Sequence, residues 1–227
     1  RWCVVTHSTP AAVLWDMDGT LIDSEPYWIS AEVKVVESFG GEWTHDDAMS
    51  CVGNGLLESA RVMQSKGVAL DAQGIVDHLT DSVMAQLKES GIPWRPGARE
   101  LLTELREAGI PTALVTMSVG RMAKHVVENL GFHGFDAVIS GDDVEHAKPH
   151  PQPYHLGAAA LGVEVTDCVA IEDSPPGASS AHAAGATVIG VPFMVDIPEH
   201  KTHALWQTLD GKTLDHLSEL HAKVTTR

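Results

Sequence analysis

Residues 11–21 read Ala-Ala-Val-Leu-Trp-Asp-Met-Asp-Gly-Thr-Leu, and this stretch decides the fold. Its apolar run, residues 11–15, stops abruptly at Asp16. A short apolar run bounded by turn residues reads as a strand buried on both faces. Four runs of the same kind follow: Thr112–Val115, Ala137–Ile139, Cys168–Ile171 and Thr187–Ile189. Helical spacing separates them. Leu101, Leu105 and Ala108 recur at i, i+4 and i+7 before Gly109, which supplies a stop, and Met122, Val126 and Leu130 recur at i, i+4 and i+8 before Gly131. Strand alternating with helix predicts an α/β protein with a doubly wound, Rossmann-like parallel sheet. Ligands of such sheets sit beyond the carboxyl ends of the strands.

Between the first and second runs lie about 90 residues, far more than one crossover helix needs. Apolar faces recur through them: Ile29, Val33 and Val36; Leu56, Ala60 and Met63; Ile75, Leu79, Val83 and Leu87. Residues 24–94 therefore read as an inserted α-helical domain. The α/β core is then discontinuous, residues 11–23 and 95–227. The insert is entered through Asp23–Ser24–Glu25–Pro26 and left through Gly91–Ile92–Pro93, turn residues that suit a hinge. The tail after Pro192 has no clear periodicity, and no repeat is evident.

The 227 residues carry 15 Lys+Arg against 31 Asp+Glu, a formal charge of −16. That balance excludes a nucleic-acid binder, which needs basic surface to replace counterions, and an anionic membrane surface as partner. At 44% hydrophobic and 20% charged residues the composition is that of a soluble globular protein. No apolar run approaches the roughly 20 residues that span a bilayer. Arg1–Pro10 holds no signal-peptide pattern. Cys3, Cys51 and Cys168 are odd in number and lack CxxC spacing, so reduced thiols and a cytoplasmic location are expected.

Polar residues of a particular kind end the strands: Asp16 and Asp18, then Thr116–Met117–Ser118, then Glu172–Asp173–Ser174, with Lys148 ahead of Pro149. Each has a local reading alone. Asp–Gly is a common turn pair, Thr116 or Ser118 suits a helix N-cap, and so does Asp173. Four such clusters at strand ends of one sheet converge on one cleft. Asp16 and Asp18, two apart on extended backbone, point to the same side. Two carboxylates held together repel unless a cation or proton relieves them. With Glu172 and Asp173 they form an all-oxygen set suited to Mg²⁺. Lys148 supplies a point charge and Thr116 a hydroxyl for a phosphate. Together these groups meet the needs of phosphoryl transfer.

Asp16–Met17–Asp18–Gly19–Thr20–Leu21, the Thr116 cluster, Lys148–Pro149 and Glu172–Asp173–Ser174 resemble the four motifs of the haloacid dehalogenase superfamily. The helical insert resembles the branch containing phosphoglycolate phosphatase, sugar phosphatases and β-phosphoglucomutase. The resemblance runs from Val13 to Val191. It implies that Asp16 attacks phosphorus and becomes an aspartyl-phosphate, and that Asp18 protonates the leaving oxygen and then activates water. It implies Mg²⁺ held by Asp16, the Asp18 backbone carbonyl and Asp173, with Glu172 nearby. Thr116 and Ser118, with the backbone amides of Met17 and Met117, would bind the phosphoryl group, and Lys148 would neutralise charge. Met117 departs from the small polar residue common at its place, which leaves a backbone contact but removes a side-chain one.

The second carboxylate, Asp18, sets aside dehalogenases and phosphonate-cleaving relatives, which lack it. The rival is a sugar-phosphate mutase of the β-phosphoglucomutase kind. Its relatives carry a cap His and a Gly-x-x-Arg loop, where this chain has Trp28 and, in the loop from Cys51, Leu56; the nearest charges are Glu58 and Arg61. The balance favours a phosphatase of a small phosphomonoester, such as a sugar phosphate. A sensor that merely binds a phosphorylated metabolite would have lost its nucleophile or acid, and neither is lost. Gly53–Asn54–Gly55 reads either as a loop offering Asn54 to the substrate or as an ordinary interhelical turn. Trp28, Trp43 and Trp94 read as packing. His146/His150, His200/His203 and His216/His221 read as structural rather than metal-binding, because Pro149 interrupts the first pair and the others lie in the unpatterned tail. Expected partners are a small phosphorylated metabolite, no nucleic acid and no membrane, with the chain a monomer or weak homo-oligomer.

Overall fold

The computed structural model describes residues 9–226, so Cys3 and most of Arg1–Pro10 lie outside the described residues. Strand β1 (Ala12–Trp15) is central. It is flanked by β2 (Thr112–Val115) and β4 (Cys168–Glu172), with β3 (Ala137–Ile139), β5 (Thr187–Gly190) and β6 (Ala204–Leu205) outside them. The order is β3-β2-β1-β4-β5-β6 and every pairing is parallel. Trp15 aligns with Leu114 on one side and Ile171 on the other, so the three central strands end level. The order of strands reverses between β1 and β4, with β2 and β3 added on one side and β4 to β6 on the other, and the loops leaving them diverge to open a crevice there.

Alternate side chains of β1 serve two cores. Ala12 and Leu14 pack with Tyr154 and Ala158 of α7 (Gln152–Ala160) and with Ala178 and Ala181 of α8 (Pro175–Ala184). Val13 and Trp15 face Leu101 and Leu105 of α5 (Ala98–Glu107), Met122 and Val126 of α6 (Gly120–Glu128) and Leu217 of α9 (Leu214–Thr225). Period-two alternation thus covers both sheet faces with helices, as a parallel sheet requires.

Four helices fill the segment between β1 and α5: α1 (Glu25–Ser38), α2 (His45–Cys51), α3 (Leu56–Ser65) and α4 (Ala72–Ser90). Local chemistry sets their starts. Pro26 opens α1, Thr44 and Asp47 form a capping box on α2, and Asp71 accepts from Gly74 N at 2.6 Å to cap α4. The entering and leaving links run antiparallel and are hydrogen-bonded: Asp23 N donates to Pro93 O at 2.7 Å and Arg95 N to Leu21 O at 3.0 Å. Arg121 on α6 reaches across to Asp81 and to the Asp77 carbonyl of α4.

Several expectations need correction. β3 is not buried on both faces: it is the sheet edge, and Val138 is exposed. On α1 the buried stripe is Trp28, Ala31, Glu32, Val35 and Val36, so Val36 is buried as expected, whereas Ile29 and Val33 are half-buried. The helix is rotated so that a face carrying two carboxylates turns inward, which an apolar count misses. Ala108 is exposed, because it lies past the end of α5 as its C-cap. The unpatterned tail holds β6 and α9, and β6 is only two residues long, too short for any periodicity.

Cys51 and Cys168 are free and buried. His203 Nδ1 accepts from Val188 N at 2.9 Å, His221 Nδ1 sits 2.8 Å from Thr187 Oγ1, and His216 caps α9 through Thr213. The His146 and His150 rings lie 4.6 Å apart. Among the described residues, no helix is long and apolar enough to cross a membrane.

Candidate active site

The local roles open to the strand-end residues go to others. Ser174, not Asp173, caps α8, accepting from Gly177 N at 3.3 Å, and Val119 rather than Thr116 or Ser118 stands at the N-cap of α6. Released from capping, Asp16, Asp18, Thr116, Ser118 and Asp173 all line one cleft at the β1/β4 crevice, of about 630 Å³.

Lys148, on the loop before α7, anchors the floor. Its ammonium donates to Asp16 Oδ1 at 2.7 Å, Glu172 Oε1 at 2.7 Å and Val115 O at 2.9 Å, so its three protons are used. Burial alone would depress Lys148, but Asp16 and Glu172 together hold it above its ordinary value. Tyr154 donates its hydroxyl to the same Glu172 oxygen. Thr20 Oγ1 donates to Asp16 Oδ2 at 2.9 Å and lies 3.4 Å from Asp173 Oδ1.

Asp16, Glu172 and Asp173 offer carboxylate oxygens within 4.8 Å of one another, all buried. Three carboxylates against one ammonium leave two negative charges uncompensated. Burial, then the Glu172 charge, pushes Asp16 up to about 7 despite Lys148. Burial, then Asp16 and Glu172, raises Asp173 well above the carboxylate range. Asp173 Oδ2 is buried and has no hydrogen-bond partner. An orphaned oxygen in a dianionic, all-oxygen pocket fits a hard divalent cation such as Mg²⁺. The backbone closes tightly around it: a Cβ on Gly19, whose φ is +83°, would lie 2.1 Å from that oxygen.

Asp18 is held apart from this trio. Its Oδ1 accepts from Ser24 Oγ and, at 3.0 Å, from Trp28 Nε1; its Oδ2 accepts from Ser118 Oγ at 2.6 Å and Thr116 Oγ1 at 3.4 Å. The two aspartates open on the same cleft with different partners, and the Asp18 side chain is not one of the three clustered carboxylates. Thr116 Oγ1 also accepts from Ser118 N at 3.0 Å. The Met17 side chain is fully buried in the core, and Met117 lines the cleft with its sulfur accepting from Lys148 N at 3.4 Å.

Asn54 stands at the cleft wall, but its amide donates to Ser50 O at 2.8 Å, which closes the turn after α2. Neighbouring Gly53 seats this loop on the sheet domain: at φ +77° a Cβ there would lie 2.3 Å from Ser174 Oγ. Trp43 and Trp94 pack as expected, Trp43 donating to Glu32 Oε2 at 3.1 Å and Trp94 stacking on Phe132. Trp28 does more than pack, since it lines the cleft and donates to Asp18.

Sequence reading missed Ser24, Tyr154, Glu25 and Glu32. Glu25 and Glu32 are both buried and line the cleft. Burial, then Asp18 and Glu32, pushes Glu25 up to about 8, and burial pushes Glu32 to about 7 against its bond from Trp43. A signal existed: Glu25, Trp28 and Glu32 recur at i, i+3 and i+7, one helix face.

Residues 13–191 match the family model described as haloacid dehalogenase-like hydrolase. The chain is 33% identical over 224 residues to hexitol phosphatase B of Escherichia coli (strain K12), covering 95% of this chain and 98% of that protein. It is 30% identical over 185 residues to fructose-1-phosphate phosphatase YqaB of the same organism, covering 80% and 96%. Its fold superposes on β-phosphoglucomutase (pgmB) from Clostridium difficile with a TM-score of 0.85 at 21% identity, covering 96% and 100%.

Proposed function

Because this chain belongs to the haloacid dehalogenase-like hydrolase family, we propose that it is a Mg²⁺-dependent phosphatase of small phosphomonoesters, sugar or polyol phosphates above all. The carrying observation is the buried Asp16–Glu172–Asp173 cluster tied to Lys148, with Asp18 oriented separately beside it. The relatives named as hexitol and fructose-1-phosphate phosphatases support the substrate class.

In this reading Asp16 is the nucleophile. Its carboxylate oxygen forms a bond to phosphorus as the ester oxygen's bond to phosphorus breaks. Asp18 gives its proton to that leaving oxygen, and later takes one from the water that hydrolyses the aspartyl-phosphate. Four donors around Asp18 hold it in line for both transfers. Thr116 and Ser118, with the amides of Met17 and Met117, bind phosphoryl oxygens. Lys148 favours the ionised form of Asp16 against burial and the Glu172 charge, and offsets charge on the group in flight. Asp16, Asp173 and the Asp18 backbone carbonyl would hold Mg²⁺, with Glu172 beside them. When bound, the ion offsets phosphoryl charge and lowers the pKa of Asp16.

Residues 24–94 act as a cap that closes over the substrate and excludes water, a role supported by the paired links at Asp23 and Arg95 and by the seat of Gly53 on Ser174. Buried free thiols at Cys51 and Cys168 support a reducing, cytoplasmic setting.

Hydrolysis is favoured over mutase chemistry. A mutase must hold a bisphosphate while it reorients, and Lys148 is the sole cationic side chain lining the cleft among the described residues. Phosphate release from sugar and polyol phosphates, with Mg²⁺ and with EDTA, tests the proposal. Asp16→Asn should lose more than a hundredfold in turnover, since a covalent nucleophile is worth several kcal/mol. Retained turnover, or conversion of β-glucose 1-phosphate to glucose 6-phosphate without phosphate release, would overturn it.

A further inference from the structure

Glu25 and Glu32 have no part in the chemistry above, yet they are buried carboxylates facing the substrate cleft. Each is only 7% exposed. Among the described residues, Glu25 makes no side-chain hydrogen bond, and Glu32 receives one, from Trp43 at Oε2, leaving Oε1 open. The free oxygens of both side chains open into the cleft, where the hydroxyl donors of a ligand can reach them. Both residues line the cleft on the face of α1 that also presents Trp28, whose indole donates to Asp18. A leaving group protonated by Asp18 must lie on that side, opposite Asp16.

We propose that Glu25 and Glu32 form the leaving-group subsite, accepting hydrogen bonds from the hydroxyls of an uncharged polyol and turning away any substrate that bears a second anionic group. The inference rests on the phosphatase reading. Hydroxyls on successive carbons supply the donors that the two carboxylates lack. A second phosphate or a carboxylate would instead meet two acids, and no cation, because Lys148 is already shared among Asp16, Glu172 and Val115. Ile29, Val52 and Leu56 supply apolar wall for the carbon chain. The subsite therefore selects polyol or sugar monophosphates over bisphosphates and over short acid phosphates.

The test is kcat/KM at about pH 8.5, above the values of both acids, for glucitol 6-phosphate, phosphoglycolate, fructose 1,6-bisphosphate and p-nitrophenyl phosphate. The wild type should favour glucitol 6-phosphate over phosphoglycolate and the bisphosphate by at least about tenfold, the value of one hydrogen bond to a charged group. Glu25→Gln and Glu32→Gln should each cut that ratio by about tenfold, with the rate on phosphoglycolate rising. Because the ratio compares substrates on one preparation, partial misfolding of a variant does not alter it. Were Glu32→Gln inactive, Glu32→Asp would carry the test: it shortens the acceptor and keeps the charge, so the glucitol rate falls while the bisphosphate stays excluded. Ratios within twofold of wild type in both variants, or a wild type that prefers phosphoglycolate or the bisphosphate, would overturn the subsite. A wild type that turns over none of the four, p-nitrophenyl phosphate included, would overturn the phosphatase reading instead.

Discussion

Replacing Lys148 with Met keeps most of the side chain's length and removes its charge, which isolates what the ammonium does for the fold. Lys148 lies 2.7 Å from both Asp16 Oδ1 and Glu172 Oε1 and is almost wholly buried. At an effective dielectric of about 20, each contact is worth roughly 6 kcal/mol of gross attraction, most of it offset by the desolvation of three charges. The variant leaves two carboxylates buried and unpaired, and breaking a buried pair from one side costs about 3–5 kcal/mol. Against a total stability of about 5–15 kcal/mol this is a large fraction.

The loss should depend on pH. Asp16 already stands at about 7 in the folded protein, and without Lys148 it rises further. Between its unfolded value near 4 and its folded value, the native state binds more protons than the unfolded state, so stability falls as pH rises. The lysine's own contribution is present at every pH below its ordinary value near 10.5, so in the wild type it opposes this fall throughout. Urea unfolding in EDTA at pH 5.5 and pH 8 reads both effects. The midpoint should drop by about 1 M or more at pH 8, taking a slope of about 3 kcal/mol/M, and by distinctly less at pH 5.5. Added Mg²⁺ should recover part of the loss by supplying the missing charge. A destabilisation under about 1 kcal/mol at pH 8, or an equal loss at both pH values, would refute the account of Lys148 as the counter-charge of a buried pair.

Two further outcomes follow from single contacts. Trp28→Phe keeps the buried ring but removes the indole N–H that donates to Asp18 Oδ1 at 3.0 Å, so steady-state kcat should fall about tenfold while the thermal midpoint stays within a few degrees. Gly53→Ala forces a side chain into left-handed backbone, at about 1–2 kcal/mol, and against Ser174 Oγ, so the loop must lift from the sheet domain. KM for the preferred phosphomonoester should rise several-fold, and an unchanged KM would show that this seat does not shape the closed cleft.

Much of the catalytic centre was legible because it is local. Glu172 ends β4; Asp16, Asp18, Thr116, Ser118 and Asp173 each follow a strand by at most a few residues, and a parallel sheet brings all strand ends to one edge. Lys148 was legible by its type and its neighbour Pro149, although its triple engagement with Asp16, Glu172 and Val115 was not. Glu25 and Glu32 were hidden because helix periodicity was read through apolar residues alone, and Ile29 and Val33 drew the expected stripe one residue away from them. Tyr154 and Ser24 bond to residues far away or across a turn, and nothing in their own neighbourhoods marks them. The tail failed for a different reason: β6 exists only through its pairing with β5.

Alternation of strand and helix, the residue types at the strand ends and the long helical insert were determined by the sequence itself, since each depends on spacing along one segment. The tertiary structure decided which carboxylates share a charge deficit. Burial and separation, not composition, raise Asp16 and Asp173, leave one Asp173 oxygen without a donor, and turn Glu25 and Glu32 toward the cleft. A net charge of −16 says only that acids outnumber bases. Where they become chemistry depends on the few ångströms that let desolvation and Coulomb repulsion act, and those distances arise only when segments far apart in the chain are folded together.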